Sequence, residues 1–224
     1  ASDVYKRQGQ TLSYAKRYGE ALKFYKNSLK LTRSDSLRGA IWGIIGETYH
    51  LLGQQELQKR SGMKHPKASL YEHSKGPAAR FMRKCYDAYD RSLELRYDNA
   101  MVLNNYAYFL SLEGRDLERA LAMAQRAIVL EENNSTFLDT YAWVLYRLGR
   151  YDEAKKTMQQ ALSLDRSKSP DLQLHYGDIL AALGEKFMAE VYWKKALESG
   201  YDDPQAIEER IRRLKESAQT PAEP

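Results

Sequence analysis

Three glycines, Gly114, Gly149 and Gly184, stand 35 residues apart, and a fourth, Gly53, lies upstream in a similar setting. Seven residues before each sits another small residue: Gly46, Ala107, Ala142 and Gly177. A second series of small pairs, also seven apart, runs between them: Ala21/Ser28, Cys85/Ser92, Ala120/Ala127, Ala154/Ala161 and Ala189/Ala196. Seven residues are nearly two turns of α-helix, so each pair returns to one face, where small side chains let a neighbouring helix come close. Large apolar residues flank them at helical spacing, as in Tyr141, Leu145, Leu148 and again in Tyr176, Leu180, Leu183. A fixed period carrying two helical stretches predicts stacked helix pairs rather than one closed core. The glycines are expected to end the first helix of each pair, since a left-handed residue there costs glycine nothing. Sustained alternation bounded by turns is absent, so strands are not expected.

On these residues the chain resembles the tetratricopeptide-repeat (TPR) family. Trp42, Ile45, Gly46 and Tyr49 are similar to its first-helix signature W-x2-L-G-x2-Y, with Ile for Leu. Tyr151, Ala154, Met158 and Ala161 resemble its second-helix pattern, as do Phe187, Ala189, Trp193 and Ala196. The likeness covers residues 14–203 apart from one insertion, and departs from the family where Tyr97, Glu132 and Arg166 replace the usual helix-ending proline. It implies an all-α fold: an α-α superhelix, or solenoid, of antiparallel helix pairs with a C-terminal capping helix. It specifies function weakly, because the fold hosts many partners.

The organisation expected is a solenoid over 9–203. It comprises the second helix of a truncated repeat (10–33), a repeat at 37–97 with an insertion at about 54–76, and repeats at 99–133, 135–168 and 170–202. Asp203-Pro204 reads as an N-cap followed by proline at the first helical position. Ile207, Ile211 and Leu214 then make one apolar stripe on a charged helix over 204–216, suited to capping a last repeat. The polar tail 217–224 is expected to be disordered. The first eight residues, A-S-D-V-Y-K-R-Q, resemble the translated end of a transposase-made sequencing library and are read as a non-native leader. On that reading any export signal lies in a missing N-terminal segment. The resemblance to bacterial multi-repeat proteins favours a periplasmic or membrane-attached location over a cytoplasmic one.

Charge is uneven. Residues 1–98 carry 19 Lys/Arg against 10 Asp/Glu, while the whole chain is only +5. A basic half raises a nucleic-acid or anionic-surface reading, but no base-contacting motif accompanies it. No window approaches the roughly 18 unbroken apolar residues of a membrane helix. The insertion is basic, with Lys59, Arg60, Lys64, Lys67 and Lys75, and is expected to be a solvated loop. His65 and His73 with Cys85, the one cysteine, match no zinc spacing, so neither metal nor cofactor is expected. There is no phosphate-cradling glycine loop, nucleophile elbow or H-E-x-x-H, so catalysis is not expected either.

The resemblance implies that first helices line a concave groove. Read by register, its stripes are Gly43, Glu47, His50; Asn104, Tyr108, Ser111; Asp139, Trp143, Tyr146; and Leu174, Asp178, Ala181. Asn105, Thr140, Arg147 and His175 lie at the edge. The expected ligand is a peptide or helix of a protein partner, neutral to basic, gripped by Trp143, Tyr146 and Tyr108 and by the Asn and Asp side chains. Asn104 and Asn105 suit the carboxylate clamp of chaperone-binding relatives, but Asp139 and Asp178 stand where that clamp needs positive charge. The expected function is a protein–protein scaffold. The alternatives are the non-catalytic TPR region of a larger enzyme or regulator, and nucleic-acid or anionic-surface binding through the basic half.

Overall fold

Helix starts and stops are encoded locally in this computed structural model, which describes residues 1–61 and 76–219. The chain divides into two compact units. The first, Ala1–Arg115, holds α1 (Ser2–Tyr14), α2 (Tyr18–Leu31), α3 (Asp35–Ser61), α4 (Pro77–Leu95) and α5 (Ala100–Glu113). The second, Asp116–Pro224, holds α6 (Leu117–Leu130), α7 (Ser135–Arg147), α8 (Tyr151–Leu164), α9 (Pro170–Ala182), α10 (Lys186–Glu198) and α11 (Pro204–Gln219). No strand occurs among the described residues. Within each unit consecutive helices pack on one another, and in the second α7 also meets α9.

Beyond α4 the first and second helices begin differently. Helices α5, α7 and α9 start on side-chain caps: Asn99 accepts from the Val102 N–H, Asn134 from Thr136 and Phe137, and Ser169 from Leu172. Each satisfies backbone donors that have no partner inside the helix. Helices α2, α6, α8 and α10 have no such cap. In the second unit α8 and α10 emerge from tight turns at Gly149 and Gly184, whose φ values are +77° and +78°. The Arg150 N–H reaches back to the Leu145 carbonyl and the Glu185 N–H to that of Leu180, both at 2.9 Å, closing these turns. Gly114 ends α5 in the same left-handed conformation.

Gly53 behaves otherwise and corrects one expectation. It is buried inside α3, which continues to Ser61, so the described part of the insertion is helix and not loop. The reason is a partner longer than the other second helices, 19 residues against 13 or 14. Helix α4 starts early, at Gly76-Pro77, and its buried Ala78, Ala79 and Met82 extend the apolar surface, while Leu57 keeps the far end of α3 buried. The expectations for Lys64, Lys67, Lys75, His65 and His73 lie outside the described residues, as does the tail beyond Gln219. A second boundary also shifts. Residues 10–14 belong to α1 rather than to the second helix, and residues 2–14 take the first-helix place beside α2.

Three hairpins close by the same device, a glycine on the first helix under an aromatic ring from the second. A Cβ built on Gly9 would lie 2.5 Å from the Tyr25 ring, one on Gly46 2.4 Å from Tyr89, and one on Gly177 2.4 Å from Trp193. In the same register the α7/α8 hairpin carries Ala142 with Met158, both fully buried. A larger residue on one helix is thus matched by a slimmer one on the other. In the second unit these contacts join a core of Leu138, Leu145, Ile179, Leu180 and Ile207, against which Ile211 and Leu214 of α11 pack.

This trade is testable by a double-mutant cycle. Gly177→Ala is expected to destabilise the chain by about 1–3 kcal/mol through overpacking, outweighing the gain of roughly 1 kcal/mol that alanine brings to a helix interior. In a Trp193→Met background the same change should cost much less. Chemical denaturation of the four proteins measures the coupling, and additive effects would show that glycine and indole do not compete for one space.

Candidate functional site

The first helices are so enclosed that most polar residues on them must find partners inside. Helix α9 buries every residue from Leu172 to Leu180. A helix buried all round cannot turn a polar stripe to solvent, and most of its buried polar groups are paired internally. This corrects half of the expected groove. His50, Asn104, Asp139, Thr140, His175 and Asp178 are all buried. The half-buried remainder is Glu47, Asn105, Tyr108, Trp143, Tyr146 and Arg147.

In the first unit His50 stacks on Phe109 with ring centres 4.0 Å apart, and its Nδ1 lies 3.5 Å from Met82 Sδ. Burial pushes its pKa down to about 4, so at neutral pH it is an uncharged core residue. Asn104 donates to Asn105 Oδ1 at 3.2 Å, while Tyr108 tilts against Phe109 at 6.1 Å. Asn105 in turn donates from Nδ2 to Glu47 Oε2 at 3.2 Å, and the Tyr89 hydroxyl donates to the same oxygen at 3.0 Å. Burial holds the Glu47 carboxyl above its ordinary range, and these two donors partly offset it. Beside Glu47 a hollow of about 520 Å³ opens, lined by Gly43, Ile44, Tyr89, Met101, Val102 and Asn105 among others.

In the second unit the polar bridge between first helices is His175 Nδ1 to Asp139 Oδ1, at 2.8 Å. The His175 ring stacks on Trp143 at 4.2 Å, and Trp143 on Tyr146 at 4.8 Å, a column that ends against Tyr151 at 5.5 Å. Asp178 Oδ1 accepts from Trp193 Nε1 and from Arg210 Nε, each at 2.9 Å, and Oδ2 accepts from Arg210 Nη2 at 3.3 Å. Asp139 and Asp178 are therefore engaged inside the unit, and the aromatic column is what the expected site leaves partly open. Cys85 is fully buried on α4. No helix among the described residues is long and apolar enough to cross a membrane.

Residues that sequence reasoning missed are Tyr89, Met101 and Val102 in the first unit and Arg210 in the second. The signal was a dipeptide. Gly46-Glu47 and Gly177-Asp178 each place a carboxylate directly after the glycine that an aromatic ring covers, and the polar atom of that ring then reaches it.

Paired helices locked by small residues, with caps on the first helix and glycine turns before the second, define a helical-hairpin repeat protein. The tetratricopeptide-repeat family model matches residues 79–208. That is more than half of the chain, and the chain belongs to that family. No curated protein matches it. Among solved structures it is similar to a thermophilic TPR protein of Thermus thermophilus, at 20% identity and TM-score 0.59, over 96% of this chain and 99% of that one. PilW, a widely conserved type IV pilus biogenesis factor, is 16% identical with TM-score 0.70, over 97% of this chain and 87% of PilW. YrrB, a TPR protein with an unusual peptide-binding site, is 20% identical with TM-score 0.59, over 92% of this chain and 90% of YrrB. At such identities the likeness establishes the fold, and the fold supports a scaffold for protein–protein interaction in general.

The His175–Asp139 pair makes stability depend on pH. Burial works against the imidazolium, but the charge and hydrogen bond of Asp139, helped by the charges of Asp178 and Asp171, raise the pKa above the ordinary value. A raised folded value contributes stability below the unfolded pKa of about 6.5 and loses it as pH climbs through the folded one. Thermal unfolding followed by circular dichroism should show this component declining with rising pH. Asp139→Asn should remove that component, and an unchanged profile in the variant would show the pair to be uncoupled.

Proposed function

We propose that this chain is a non-catalytic scaffold that holds a peptide or helix of a protein partner against the open faces of its first helices. The observation that supports this reading is the column His175–Trp143–Tyr146. Its inner member is tied to Asp139, and its outer rings stay half exposed. Two aromatic rings fixed by stacking lose little freedom on binding and present a large apolar area, which is how interface anchors are built. The peptide-binding site named for YrrB, a protein of similar fold, is consistent with this use.

The test is selection of a displayed random-peptide library on the purified chain, followed by calorimetry of the selected peptides. Tyr146→Ala and Trp143→Ala should each weaken binding by about 1–3 kcal/mol, or roughly 5- to 150-fold, with circular dichroism checking that both variants stay folded at the binding temperature. Peptides that bind both folded variants as tightly as the parent would show that the column is not the anchor.

A further inference from the structure

The hollow beside Glu47 deepens that reading, on which it rests, by specifying the chemistry of the partner. Two carboxylates occupy equivalent places in the two units. Asp178 follows Gly177, and the Trp193 indole that covers the glycine donates to it. Glu47 follows Gly46, and the Tyr89 phenol that covers this glycine donates to it. At Asp178 the arrangement is completed by a cation, since Arg210 of α11 delivers its guanidinium to both carboxylate oxygens. At Glu47 it is not. Both hydrogen bonds fall on Oε2, from Tyr89 and Asn105, and among the described residues no lysine, arginine or histidine pairs with it. Arg96, the one cation among the described residues lining the hollow, points its Nε at Asp98 Oδ1, 3.3 Å away.

We propose that the hollow between α3 and α5 receives an arginine side chain of the bound partner, with its guanidinium on Glu47 and its methylenes against Ile44, Val102 and Met101. The size fits, because about 520 Å³ holds one long side chain and the adjoining backbone. The walls fit as well. Gly43 lets Val102 of α5 pack closely on α3, where a Cβ would lie 2.7 Å from its methyl group, and Met101, 62% exposed, offers an apolar rim. The local charge fits too. Although the first unit is rich in lysine and arginine, residues 39–58 of α3 and 100–113 of α5 contain neither, and Arg96, at the edge of the hollow, turns to Asp98. Arginine suits better than lysine because a planar fork can engage a carboxylate whose second oxygen is free, as Arg210 does at Asp178.

The probes are N-acetyl-arginine methylamide and N-acetyl-citrulline methylamide, which share shape and differ in charge. They are titrated into the isotope-labelled chain and followed by amide chemical shifts. The arginine derivative should perturb Gly43, Ile44, Met101 and Val102, and should bind about tenfold more tightly than citrulline, the ratio a charge-assisted hydrogen bond supplies. Glu47→Gln keeps an acceptor for Tyr89 and Asn105 and should abolish the preference. Ala40→Leu, at the lining of the hollow, should block both probes with Glu47 intact. Equal binding of the two probes, or an arginine preference that survives Glu47→Gln, overturns the proposal. If library-selected peptides depend on Tyr146 yet ignore Glu47→Gln, the scaffold reading stands and this inference falls. If the arginine derivative enters the hollow while no peptide binds the chain, the reverse holds.

Discussion

Everything in this molecule is set by how closely two helices of a hairpin can lie. The limit is reached where a residue without a side chain faces a ring: Gly9 under Tyr25, Gly46 under Tyr89, Gly177 under Trp193. A ring over a glycine fills the space that would otherwise separate the backbones, at the packing density of a protein interior. It also extends past the glycine, and in two of the three hairpins its polar atom reaches the residue that follows the glycine on the first helix. The phenol of Tyr89 thereby reaches Glu47, and the indole of Trp193 reaches Asp178. One steric fact places both the packing and the hydrogen-bond donor.

Close approach also encloses the first helices, and enclosure decides what their polar residues do. An acid in the middle of α9 or α7 loses its water and is stable only with a fixed partner. Asp178 takes Trp193 and Arg210, and Asp139 takes His175. The link made by Arg210 ties α11 to α9 through charge, in addition to the contact of Ile207, Ile211 and Leu214 with the core. The end of the second unit is therefore closed by apolar and ionic contacts together. In the first unit the bridge from Asn105 to Glu47 is neutral on one side, and the carboxylate keeps an unfilled oxygen.

Periodicity made the architecture legible. The small residues are the contact points, and Gly114, Gly149 and Gly184 adopt the left-handed conformation that their spacing suggests. Gly53 shares their spacing from a small residue but not their conformation, because glycine permits a helix end without forcing one. Whether α3 stops there depends on α4, which lies beyond the insertion. The site was less legible for a related reason. Helical register says which way a residue points but not what lies opposite, so His50 and Trp143, both read as groove residues, cannot be told apart by period. His50 meets Phe109 and is sealed in, whereas Trp143 meets His175 and Tyr146 and remains half open. The basic excess of residues 1–98 is a net charge and does not say which helices carry it: residues 39–58 hold no lysine or arginine.

The contrast between Glu47 and Trp143 shows how one register position can serve two purposes. Both stand immediately after the small residue of their first helix, Gly46 in one hairpin and Ala142 in the other. Where the residue is tryptophan, the ring occupies the space itself and stacks on the next first helix at His175. Where it is glutamate, the side chain takes its hydrogen bonds from Tyr89 and Asn105, and a hollow opens beside it. The hollow is open to solvent, so what is left unfavourable there is the half-buried carboxylate without a counter-charge. A long cationic side chain entering from outside would supply that charge while its methylenes lie on the apolar wall.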